Sequence, residues 1–172
     1  MHCFRITKYD PERALAGSAY LADQWTSMSD VGKVVGGEVV TLDEYLRVEN
    51  AYLSCLRRLA ERTGVTSLVV RSLEIRADHP PFDLESGMEL SLDLAIEVCR
   101  EMLREGGVWC RLHRAPDFYV HIGYDYYMYV GTSAASPDEA DRCAADGLFL
   151  EEDWPSPYLD IEGEDSEFTV ES

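Results

Sequence analysis

The sequence predicts an α+β fold: a single domain over residues 1–157, with an antiparallel or mixed sheet of about five strands and two main helices packed on one face. Three observations carry this. Apolar side chains recur at helical spacing over residues 42–59 and 90–103, a β-branched run lies between those two stretches, and residues 109–131 alternate as an aromatic-rich β-meander. At 172 residues, 46% of them hydrophobic, the chain is long enough to bury one core without disulfide staples.

Residues 3–8 alternate apolar and polar side chains and read as a first strand, stopped at Asp10-Pro11. Trp25 to Gly32 reads as a loop leading into one helical turn, capped by Thr26 or Ser27 and ended by Gly36-Gly37. Thr41 and Glu44 then form a capping box, after which Leu42, Tyr45, Leu46, Tyr52, Leu53, Leu56 and Leu59 define a helix that stops at Gly64. The aliphatic run from Thr66 to Val70, continued by Leu73 and Ile75, has the composition of a strand covered on both faces and is expected to lie centrally. Past a loop containing Pro80-Pro81, Leu90, Leu92, Ala95, Ile96, Cys99, Met102 and Leu103 define a second amphipathic helix ending at Gly106-Gly107. Two strands flank Ala115-Pro116-Asp117, and Tyr126 to Val130 adds an aromatic third. Ser136-Pro137-Asp138-Glu139 has the order of cap, proline and capping-box acid for a last short helix reaching Gly147. Residues 158–172 form an acidic C-terminal tail, expected to stay mobile unless a partner orders it.

Charge is distributed very unevenly along this framework. From Met1 to Arg76 ten acids meet ten bases, so the whole formal charge of −18 falls on the remainder of the chain. From Asp138 onward thirteen acids face a single base, Arg142. Such a field attracts a basic protein and repels nucleic acid and anionic lipid, which excludes direct nucleic-acid binding and membrane association as expected roles. The N-terminal residues lack a basic region followed by an apolar run, so the protein is expected to be cytoplasmic.

Five cysteines, odd in number and set in apolar stretches, read as buried reduced thiols. Cys110-x-x-His113 is no metal motif, since residues three apart on a strand face opposite ways and no second pair completes four ligands. No phosphate loop, nucleophile elbow or distinctive carboxylate pair is present, so no catalytic residue, metal or cofactor is assigned.

Two groups of residues remain as candidates for binding. With a three-residue loop at Ala115-Pro116-Asp117, Val108, Cys110 and Leu112 share a core face with Phe118, Val120 and Ile122. The opposite, exposed face then presents Trp109, Arg111, His113, Tyr119 and His121, with Arg111 across from His121 and His113 across from Tyr119. The second group combines the apolar anchors Phe149 and Trp154 with Glu151, Glu152 and Asp153, the division between hot spot and steering charge found at interfaces. Tyr124 and Asp125, in the turn before the aromatic strand, join the partner-binding set.

The stretches Trp25-Thr26-Ser27-Met28-Ser29-Asp30-Val31-Gly32 and Gly123-Tyr124-Asp125-Tyr126-Tyr127-Met128-Tyr129-Val130-Gly131 resemble those of an uncharacterised family of small acidic bacterial proteins, similar in style to immunity proteins. The resemblance implies a role in neutralising a toxin of competing bacteria and assigns no site residue. The leading expectation is thus an acidic inhibitor of a basic protein, a toxin or a nucleic-acid-binding protein. The alternatives are a nucleic-acid mimic directed at a defence protein, or a small enzyme using the His113/His121 face with a histidine as general acid or base.

Overall fold

The computed structural model describes residues 1–14, 24–123 and 126–159. Seven strands form one wholly antiparallel sheet: β1 (His2–Thr7), β4 (Ser67–Ile75), β5 (Glu89–Ser91), β6 (Val108–Arg114), β7 (Phe118–Ile122), β8 (Met128–Thr132) and β9 (Phe149–Glu152). Their order across the sheet is β5-β4-β6-β7-β8-β1-β9. Four α-helices accompany them, α1 (Pro11–Ala14), α2 (Leu42–Arg62), α3 (Leu92–Leu103) and α4 (Glu139–Ala145), together with a short 3-10 turn at Met28–Asp30. The fold is α+β as expected, with more strands than the expected five.

The extra strands have local explanations. β5 is three residues long, too short to leave a period-2 signature, and β9 reads as two apolar residues followed by two acids, with no alternation to mark it as a strand. Gly36-Gly37, taken as a helix stop, is instead the two-residue turn of a separate small hairpin, β2 (Val34–Val35) with β3 (Glu38–Val39). Both glycines have positive φ, 58° and 89°, the backbone such a turn requires. β4 is second from the sheet edge, not central, and beyond Val70 its residues are only partly covered.

Half of the expected α2 capping box forms: the Thr41 side chain accepts from the Glu44 N–H at 3.2 Å, whereas the Glu44 carboxylate turns to Arg47, at 2.9 Å from both Nε and Nη2. Ser91 caps α3 in the same way through the Leu94 N–H at 3.3 Å. α4 differs from expectation: it starts at Glu139 with Asp138 as its cap residue, and Ser136 contributes its carbonyl to the Glu139 N–H rather than its hydroxyl. At the 3-10 turn Ser27 makes no side-chain cap, and the Asp30 carboxylate accepts from the Thr26 N–H at 3.0 Å.

One hydrophobic core lies between the sheet and the layer of α2 and α3. It takes Phe4 and Ile6 from β1, Leu68 and Val70 from β4, and the face of β6 and β7 assigned to it above. From α2 it takes Tyr45, Val48, Tyr52, Leu56 and Leu59, a stripe at i, i+3, i+4 spacing. No described helix is long and apolar enough to cross a membrane.

Candidate functional site

β6 and β7 pair in the register the loop length implies: Arg111 opposite His121 and His113 opposite Tyr119. The two strands therefore bring both imidazoles, a guanidinium and a phenol together on the face away from the helices. That face is not exposed, which corrects the expectation. Arg111 is 9% accessible, His113 4%, and His121 and Tyr119 0%.

The cover is the chain that follows β9. Asp153 turns it with φ at 57°, the Trp154 N–H donates to the Cys3 carbonyl at 3.1 Å, and residues 156–159 then run over the sheet as a strap. Tyr158 and Leu159, the first two residues of the acidic tail, belong to this strap and are half-buried, whereas residues 160–172 lie outside the described residues, as do Tyr124 and Asp125. Arg111 donates to the Tyr158 carbonyl at 2.6 Å and also to the Ser72 hydroxyl. The Ser156 hydroxyl is 2.7 Å from His121 Nδ1, the Ser156 N–H donates to the Tyr119 hydroxyl at 3.3 Å, and the Tyr158 ring meets Trp109 edge-on.

Beneath the strap, His113 Nε2 and His121 Nε2 are 2.6 Å apart, so one ring donates and the other accepts. Burial, then the charges of Arg111 and Arg71, push His113 down to about 3. Burial, His113 and Arg111 push His121 in the same direction. The two rings are thus sealed under the strap and shifted toward the neutral form, whereas the catalytic alternative was argued from an exposed pair titrating near neutral pH.

Tyr119 lies flat against its cross-strand neighbour Gly131: a Cβ there would be 2.1 Å from the ring carbon Cε1. Gly131→Ala is therefore expected to destabilise the fold by about 1–3 kcal/mol through overpacking. The check is urea unfolding in wild-type and Tyr119→Leu backgrounds, the penalty shrinking where the ring is gone.

The second candidate group divides. Arg5 on β1 lies opposite Glu151 on β9 and binds it through Nε and Nη2, at 2.6 and 2.8 Å. The same guanidinium sits 3.5 Å over the Trp154 ring and 4.8 Å over that of Tyr127. Glu151 is thus engaged within the molecule. Glu152 and Asp153 are exposed, and Phe149 and Trp154 keep 38% and 42% of their surface on the open edge of the sheet.

No protein family, no curated protein and no solved structure matches this chain. What the molecule does must be argued from its own surface.

Sequence reasoning missed the strap, since nothing local in Ser156 or Tyr158 announces that they will cap a sheet face. It also missed a cavity of about 270 Å³ beside Trp109, walled by Val108, Met102, Thr26 and Tyr126. Trp109 borders this cavity with its indole N–H committed to the Ile122 carbonyl at 2.6 Å.

Proposed function

We propose that the chain is an acidic binding protein that neutralises a basic protein, in its most specific form an immunity protein against a bacterial toxin. The observation that carries this reading is where the cations go. Arg57, Arg62, Arg100, Arg104, Arg114 and Arg142 each stand within 4 Å of a carboxylate of the same chain, as do Arg5 and Arg58. Most of the bases are thus spent on internal pairs, while acids such as Glu152 and Asp153 stay exposed.

The open edge at β9 is the best docking position for such a partner. Among the described residues no strand pairs with its outer side, and it offers two exposed aromatic anchors in Phe149 and Trp154 with the steering acids Glu152 and Asp153. A basic surface is drawn to it, while an acidic or nucleic-acid surface is repelled.

Affinity capture from the source organism with the intact protein, at low and high salt, tests the reading. A basic protein released as salt rises is expected. With that partner in hand, the Glu152→Lys, Asp153→Lys double variant is expected to slow association about tenfold at low salt and far less at high salt. Trp154→Ala should instead speed dissociation. Association indifferent to the double variant would remove β9 as the docking edge, and capture of no basic protein would remove the inhibitor role.

A further inference from the structure

The pairing of α2 with α4 brings two thiols and a carboxylate together in a buried group. Cys55 lies on the inner face of α2, and Glu139 and Cys143, four residues apart and so on one face of α4, point back at it. All three are buried, and Cys55 Sγ and Cys143 Sγ are 3.1 Å apart. One carboxylate oxygen of Glu139 and the two sulfurs all lie within 4.8 Å of one another.

The Glu139 carboxylate is the informative member. Its Oε1 accepts from Arg58 Nε at 2.7 Å, and Arg58 is held in turn by Asp146 at 3.0 Å. Its Oε2 is buried and has no hydrogen-bond partner among the described residues. A carboxylate oxygen left bare in a sealed site is costly, and the other oxygen of the same group, Oε1, is 3.9 Å from Cys143 Sγ, so the carboxylate adjoins the thiol pair. We infer that Cys55, Cys143 and Glu139 form a binding site for a thiophilic divalent cation of the zinc class, joining α2 to α4.

Geometry and charge both fit. Two sulfurs on one tetrahedral zinc are about 3.8 Å apart, so the thiols need to separate by roughly 0.7 Å to admit the ion. Binding breaks two S–H bonds, forms two metal–thiolate bonds and one metal–carboxylate bond, and releases two protons to solvent. Two thiolates and one carboxylate balance the dication and the Arg58 guanidinium, leaving the buried group neutral as it was before. Glu139 binds through Oε2 while Arg58 keeps Oε1, an orienting contact of the kind that fixes metal ligands. α4 is only two turns long with an exposed outer face, so its local opening admits the ion.

The test is titration of the reduced, full-length protein with zinc chloride and, separately, cobalt(II) chloride. One cation per chain is expected, with a thiolate-to-cobalt charge-transfer band and a rise in Tm of about 5–10 °C at a hundredfold excess over Kd. Cys143→Ala should abolish band and stabilisation, whereas Cys110→Ala, which removes a buried thiol elsewhere, should keep both. The band in the wild-type protein reads thiolate ligation directly, so the test stands even where Cys143→Ala folds poorly. Absence of the band in folded protein with five free thiols would overturn the inference. So would undiminished binding by a folded Cys143→Ala variant, or conversion of the pair to a disulfide that cobalt does not prevent.

Discussion

Acidification from pH 7 to pH 5 is expected to lower the stability of the folded chain by about 4 kcal/mol through His113 and His121 alone. Both rings are neutral in the folded protein because the strap excludes water from them and Arg111 opposes a second positive charge. The unfolded chain has no such constraint and takes up protons as pH falls through the ordinary histidine value of 6.5. It therefore binds more protons than the folded state below that value, and stability rises with pH across the window. The histidine contribution is complete above about 6.5 and shrinks as pH falls toward about 3, where His113 itself becomes charged. Each ring contributes a slope of about 1.4 kcal/mol per pH unit within the window. One proton added to the pair places a charge beside Arg111, and two place N–H against N–H across 2.6 Å. The measurement is urea unfolding at several pH values for the wild type and for the His113→Gln, His121→Gln double variant. The difference between their pH slopes isolates the histidines from the carboxylates. Equal slopes would show that the rings titrate normally and that the strap does not seal them.

Glu49→Ala is expected to lose about 3–5 kcal/mol of stability, or roughly 10 °C in Tm. Glu49 is fully buried on α2 and receives Arg100 Nη1 at 2.7 Å and Arg104 Nε and Nη2 at 2.5 and 2.7 Å from α3 and its end. One carboxylate thus clamps the two main helices through two guanidiniums. Removing it takes the shared carboxylate from between two partly buried cations, leaving Arg100 with Glu97 at 3.0 Å and Arg104 without its bidentate partner. The loss should largely disappear when Arg100→Met and Arg104→Met accompany Glu49→Leu, because the whole charged group is then exchanged for apolar contact. If the triple variant is as unstable as Glu49→Ala, the clamp is not what α2 and α3 depend on.

Short-range chemistry made much of the fold legible. The Thr41 side-chain cap, the apolar stripes of α2 and α3, and the three-residue loop at Ala115-Pro116-Asp117 each depend on residues close together in sequence, and each appears where it was read. The loop length alone set the register of β6 on β7, and with it which residues share the Arg111/His121 face. Burial of the five cysteines followed from their apolar surroundings.

Contacts between distant segments were not legible, and they decide the site. Whether His113 and His121 face water depends on Ser156 and Tyr158, thirty-five or more residues further on, folding back over them. Whether Glu151 is available to a partner depends on Arg5, which is 146 residues away. Cys55 and Cys143 meet across 88 residues. The sequence by itself determined the helices, the meander register and the acidic surplus, because spacing, capping and charge act within a few residues or by simple summation. Only the tertiary structure decided which acids remain outside and which histidines are sealed, because burial is set by whatever chain returns to cover a face, and no local pattern records that return.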